Sequence, residues 1–301
     1  MDALTVGLET RKVNWVLDAD IRGFFEAIDH GWLVTFVEHR IADRRVVRLI
    51  QKWLKAGVLE DEAWTRREEG TPQGGSISPL LANVYLHDVF DLWAQRWRKT
   101  QAPGDVIIVR YADDFIVGFE HRAEAERFLT ELRAQLAQFR LELHPEKTRL
   151  LQFGRFAAER RQRADEGKPE TFNFLGFTHI CGKKRNGRFT VVRQTIRGRV
   201  QAKLSEVKAE LRRRLHDPIP VVGAWLRQVV RGHTQYYGVP RNGPAIAMFR
   251  FQVGELWRRA LAQRSQTGHV AWDRMRRLIE RWLPMARICH PYPDKRLGVR
   301  T

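Results

Sequence analysis

Two short apolar runs, Val106–Val109 and Phe115–Phe119, flank Arg110-Tyr111-Ala112-Asp113-Asp114. Both runs are rich in Val, Ile and Phe, so they predict two strands of a β-hairpin with an acidic pair at its tip. A similar run, Trp15 to Ile21, predicts another strand, and the two-residue alternation puts Asp18 and Asp20 on one face of it. Elsewhere the period lengthens to that of a helix. Arg44 to Ala56 carries an apolar stripe through Val46, Val47, Leu49, Ile50, Trp53 and Leu54, which predicts a core helix. Ser78 as an N-cap and Pro79 in the first turn predict a long helix running to about Lys99. His121 to Arg140 is predicted as an amphipathic helix that buries Leu129, Leu132, Leu136 and Phe139.

Past a polar stretch, Asp165 to Glu170, Phe172–Thr178 reads as one compact apolar strand, and Asn186-Gly187 marks a basic hairpin tip. From Thr195 onward the pattern is helical, with helices predicted over Ile196–Leu215, Val221–Val230, Pro244–Arg264 and Val270–Trp282. His233 to Gly238 reads as an aromatic turn. Phe249, Val253, Leu256, Trp257 and Ala260 form a stripe that predicts a self-contained helical core.

Charge divides the chain more sharply than hydrophobicity does. Residues 1–150 carry 21 Lys+Arg against 24 Asp+Glu, whereas residues 151–301 carry 32 against 11. A near-neutral half joined to a strongly basic half suggests a body fused to a polyanion-binding module. Most of the Trp and Tyr in the basic half are expected in its own core, leaving Arg and Lys faces for phosphates. No run reaches the eighteen or so apolar residues of a spanning helix, so a membrane partner is not expected. Cys181 and Cys289 lack metal-site spacing, which fits a reducing, cytoplasmic setting.

Four stretches carry chemistry. Adjacent Asp113 and Asp114 in apolar surroundings repel each other unless cations neutralise them, and Mg²⁺ takes carboxylate and phosphate oxygens. Taken alone, an ordinary Asp-Asp turn between two strands is the better reading. Asp20 stands at a strand end before Gly23-Phe24-Phe25. Gly70-Thr71-Pro72-Gln73-Gly74-Gly75-Ser76 leads into a helix, and such a loop can approach a nucleotide or template base closely. Lys147, in His144-Pro145-Glu146-Lys147-Thr148, is either a surface lysine or a proton donor.

In this order the stretches resemble the palm of reverse transcriptases, and more closely the reverse transcriptase/maturase proteins encoded by bacterial group II introns. The resembling residues are Asp20-Ile21-Arg22-Gly23-Phe24-Phe25, Gly70 to Pro79, Tyr111-Ala112-Asp113-Asp114, His144 to Thr148 and Phe174-Leu175-Gly176-Phe177. Arg231-Gly232-His233, Tyr236 to Pro240 and His290-Pro291-Tyr292-Pro293 are similar to that family's maturase segment and tail.

The resemblance implies an α+β fold. A polymerase palm, an antiparallel sheet with packed helices, would cover residues 1–180, and a basic α-helical thumb/maturase domain residues 181–301. It implies RNA-directed DNA polymerase activity, with Asp20, Asp113 and Asp114 as ligands of two Mg²⁺ ions and Lys147 as general acid. Phe25 would lie under the sugar and select deoxynucleotides. Gln73, Gly74, Gly75 and Tyr111 would flank the nucleotide and template. The implied partners are deoxynucleotide triphosphates, an RNA template with a DNA primer, and group II intron RNA, which the protein would help to splice and mobilise. Only nineteen residues precede Asp20, where the family carries a fingers region, so the chain looks truncated there. No His/Cys endonuclease module is expected after the tail. A non-catalytic RNA-binding splicing cofactor is the alternative, and a palm-fold nucleotide cyclase fits the glycine-rich loop and the basic half less well.

Overall fold

The computed structural model describes residues 1–55, 58–60, 63–65, 70, 77–264 and 270–299. In chain order the elements are α1 (Asp2–Thr10), β1 (Trp15–Ala19), α2 (Phe24–Ala27), α3 (His30–Glu38), α4 (Arg44–Lys55), β2 (Val58–Glu60), β3 (Ala63–Thr65) and α5 (Ser78–Leu86). A π-helical turn (His87–Asp91) follows, then α6 (Leu92–Thr100), β4 (Val106–Tyr111), β5 (Asp114–Phe119), α7 (Arg122–Gln138), β6 (Arg149–Gln152) and α8 (Ala157–Arg163). The remainder comprises β7 (Phe172–Phe174), β8 (Phe177–Lys183), β9 (Phe189–Thr195), α9 (Arg197–Arg213), α10 (Ile219–Tyr237), α11 (Gly243–Ala262), α12 (Trp272–Trp282) and α13 (Pro293–Leu297). Among the described residues, no helix is long and apolar enough to cross a membrane.

The chain forms two compact units, Gly7–Glu170, and Met1–Val6 with Thr171–Thr301. The division falls ten residues before the boundary at 180 expected from the sequence, because β7 pairs with β8 and so belongs to the second unit.

The first unit holds an antiparallel sheet in the order β4-β5-β1-β6. Five of the six β5 residues are buried, as a strand between two partners demands. Phe115 and Phe119 pack on the helical layer, where Phe90 lies 4.5 Å from Phe115 and Phe128 lies 5.2 Å from Phe119 between ring centres. Each such buried ring contributes about 1.5–3 kcal/mol of transfer free energy. Gly118 is required by contact, since a Cβ there would meet Ile107 Cγ1 at 2.7 Å.

The second unit packs a three-stranded sheet, β7-β8-β9, with α9 to α12. The helices share a core of Leu204, Val230, Phe249, Val253, Trp257 and Met275. Tryptophans at its rim are covered by arginines of the same unit: Arg214 lies over Trp225, Arg227 over Trp282 and Arg258 over Trp272.

Several local expectations are corrected. The long helix from Ser78 is interrupted by the π turn, and Ile77, not Ser78, is its N-cap. Phe172–Thr178 is a hairpin rather than one strand, because Leu175 and Gly176 both adopt positive φ (47° and 82°), the conformation of a tight two-residue turn. His233 to Tyr237 form the last turn of α10, capped by Gly238, because His233 stacks on the core ring of Phe249 at 3.7 Å. On α4 only Val47, Ile50 and Leu54 are buried, whereas Val46, Leu49 and Trp53 stay exposed.

Candidate active site

The acids gather because of strand register. In β1–β5 the last pair is Ala19 with Phe115, so one further step sets Asp20 across from Asp114. On the other side the pairing shifts: between the last β1–β6 pair, Asp18 with Arg149, and the Ile21–Leu143 bridge, residues 145–147 loop out as a turn, closed by Thr148 donating to the His144 carbonyl at 3.0 Å, and this turn carries Lys147. Backbone bonds hold the chain in line past the end of β1: His144 donates to the Asp20 carbonyl at 2.8 Å and Arg22 to the Glu142 carbonyl at 2.9 Å. Ile21 bridges Leu143. Asp20 therefore stands between the acidic hairpin and the lysine loop.

The side chains complete the arrangement. Lys147 Nζ donates to Asp20 Oδ2 at 2.9 Å. That bond, then the Asp20 charge, then those of Asp114 and Asp113, raise the Lys147 pKa above its ordinary value. Asp18 is pushed up to about 6, chiefly by burial. Arg149, at 3.4 Å from its Oδ2, opposes that rise, and the charges of Asp114 and Asp20 add to it. Asp113 occupies the turn, after Ala112 in left-handed backbone (φ 54°), and Asp114 opens β5 opposite Tyr111. Tyr111 is 64% exposed at the end of β4. Among the described residues no three His, Cys, Asp or Glu side chains already enclose a metal position.

Phe25 lies in α2, entered through Gly23 at φ 53°, with its ring 5.4 Å from that of Phe24 and packed on the core. The glycine-rich loop begins beside it. Gly70 donates to the Ile28 carbonyl at 2.8 Å, and its carbonyl meets His30 Nε2 at 2.5 Å. A Cβ on Gly70 would stand 2.9 Å from the Phe25 carbonyl oxygen, so only glycine fits at this position. Gln73, Gly74 and Gly75 lie outside the described residues.

Pattern reading missed the support of the hairpin tip. Arg110 Nε and Nη2 donate to Asp91 Oδ1 and Oδ2 at 2.8 and 2.5 Å. Its Nη1 donates to Asn83 Oδ1 at 2.9 Å and to the Ala112 carbonyl at 2.8 Å. The π turn brings both Val89 and Phe90 to the core while Asp91 faces the hairpin. The sequence signal was an arginine in an otherwise apolar strand, which needs a buried partner.

Residues 4–179, more than half of the chain, match the family described as reverse transcriptase (RNA-dependent DNA polymerase). The chain belongs to the reverse transcriptase family. It is 44% identical over 85 residues to the group II intron-encoded protein LtrA of Lactococcus lactis subsp. cremoris, a match covering 28% of this chain and 14% of LtrA. It is 32% identical over 211 residues to protein YkfC of Escherichia coli, covering 61% of this chain and 51% of YkfC. The chain thus spans about half or less of the length of these relatives. In fold, this reverse transcriptase chain is similar to apo telomerase from Candida tropicalis, with a TM-score of 0.50 at 11% identity over 92% of this chain and 47% of that one. The α+β fold class expected from the sequence is the one found.

Proposed function

We propose that this reverse transcriptase family member is an RNA-directed DNA polymerase that adds deoxynucleotides to a primer 3′-hydroxyl. One observation carries the reading: the β1–β5 register leads Asp20 to Asp114, Lys147 bonds Asp20 from the turn after His144, and Asp113 lies in the adjoining hairpin turn. Hard carboxylate oxygens suit Mg²⁺, and the lysine ammonium already drawn to Asp20 shows that the spot favours positive charge. Asp20, Asp113 and Asp114 would hold two such ions, which when bound supply charge neutralisation at the attacking hydroxyl and the departing pyrophosphate.

The chain's own residues account for the rest. Lys147 reaches the acids from the side opposite the hairpin and would give its proton to the leaving phosphate. Phe25, fixed by Phe24 and by the Gly70 contact, would underlie the sugar and exclude a 2′-hydroxyl. Tyr111, with Gln73, Gly74 and Gly75, would flank the nucleotide and template. Arg149 pairs with Asp18, which supports Asp20, one residue past β1, as the acid that would face substrate.

Met1–Val6 with residues 171–301 carry 27 Lys+Arg against 8 Asp+Glu. This balance fits group II intron RNA as a second partner, bound mainly through phosphates in support of splicing and mobility. The same charge favours the second reading, a splicing cofactor that binds RNA without polymerising. Primer extension on an RNA template with Mg²⁺ and deoxynucleotides separates the two. Extension that disappears in Asp113→Ala/Asp114→Ala supports the polymerase, and equal extension by that variant rejects it. Salt-sensitive RNA binding with no incorporation under any condition supports the cofactor.

A further inference from the structure

We propose that the outer face of α4 is a second RNA-binding surface, one that grips the phosphate backbone. The proposal rests on the reading of this chain as a protein that works on RNA.

The first unit as a whole is almost neutral, with 26 Lys+Arg against 27 Asp+Glu over residues 7–170. Against that background α4 holds five cations and no acid in twelve residues. All five are exposed, and none has an ion-pair partner among the described residues. Arg44, Arg48, Lys52 and Lys55 follow one another at steps of four, four and three, so they line one side of the helix. At 1.5 Å per residue the row is about 16 Å long with cations about 6 Å apart, a spacing suited to successive phosphates of one strand. The side chains have no other visible task, because the fold is held by Val47, Ile50 and Leu54 on the opposite side.

Beside the cationic row runs a narrow apolar strip. Trp53 is 42% exposed and Leu49 44%. An indole next to a row of phosphate ligands is a platform on which an unstacked base can lie. A membrane surface suits the face less well. A helix lying in lipid needs its whole apolar face free, and α4 has committed half of its apolar residues, Val47, Ile50 and Leu54, to the protein core.

The test uses the full chain, a mixed-sequence RNA hairpin as probe, and binding isotherms across a salt series. Arg44→Gln/Arg48→Gln/Lys52→Gln is expected to lower the slope of log affinity against log salt by about 2–3 and to weaken binding roughly tenfold or more near physiological salt. Trp53→Ala is expected to weaken binding several-fold with the slope unchanged. Thermal melting verifies that each variant folds, and Lys52→Gln/Lys55→Gln serves as a second charge variant with a smaller drop in slope. A wild-type slope in both charge variants overturns the proposal. So does a loss of binding to phosphatidylserine–phosphatidylcholine vesicles with RNA binding intact, which would make the face a membrane contact. Primer extension is run on the same charge variants: a wild-type slope rejects this surface whatever the extension, whereas the polymerase reading fails only in the extension assay, so the two failures register in different measurements.

Discussion

Arg110 and Asp91 are joined by two parallel hydrogen bonds, Nε to Oδ1 at 2.8 Å and Nη2 to Oδ2 at 2.5 Å, and the arginine's remaining nitrogen holds the Ala112 carbonyl at 2.8 Å. The acidic turn is thereby tied to the π turn on the neighbouring helical segment. Arg110→Ala is expected to cost about 2–3 kcal/mol of stability, since it strands a partly buried carboxylate and frees a left-handed residue. Nucleotide addition should slow by at least tenfold in kcat with a smaller change in KM, because the turn loses its position rather than its ligands. Arg110→Lys should recover stability more than rate, as a point charge cannot reproduce the two-bond fork. Chemical denaturation and single-turnover kinetics measure the two effects.

Lys147 offers a different contrast. It is exposed, and among the described residues its Nζ is bonded to Asp20. Lys147→Ala is therefore expected to leave the melting temperature nearly unchanged while lowering kcat roughly a hundredfold. Equal extension by Lys147→Ala would assign the residue to the surface.

Phe25 should govern sugar selection. Phe25→Ala is expected to admit ribonucleotides, lowering the preference for deoxynucleotides by about tenfold or more. Competition between the two substrates in primer extension reads this directly. Because the ring also packs on Phe24, some stability should be lost as well.

Acid stability of the second unit should turn on buried histidines. His179 is fully buried and stacked on Phe172 at 4.8 Å. Burial first, then the charge of Arg193, lowers its pKa from 6.5 to about 3. Between those values the unfolded ring takes up a proton that the folded ring refuses, so stability falls as pH drops through that window and is level above about 6.5. His179→Phe should flatten the profile. Some dependence should remain from His233, which burial lowers to about 4. Melting temperatures from pH 3 to 8 decide it.

Element order, the acidic hairpin and the helical second half were legible because apolar periodicity reports burial directly. Asp20 and Lys147 were legible as residues, but their meeting depends on the Ile21–Leu143 bridge and the turn after His144, which no local pattern encodes. The tie from Arg110 to Asp91 was hidden for a related reason: a π turn breaks the helical period on which pattern reading relies. The hairpin at Leu175-Gly176 was hidden because a leucine rarely takes positive φ. The exposed side of α4 was read as core because apolar residues alone do not say which of two faces meets the protein.

That acids distant in sequence share one pair of ions is tested most directly by loading the folded chain with Fe²⁺ in place of Mg²⁺. Hydrogen peroxide, added with ascorbate to recycle the iron, is reduced at the bound Fe²⁺ to hydroxyl radicals that cut the backbone nearby. Cleavage is expected both near Asp20 and near Asp113–Asp114, competed by Mg²⁺ and lost from both segments together in Asp113→Asn. Cleavage confined to one segment, or persisting at Asp20 in that variant, would contradict a shared metal site.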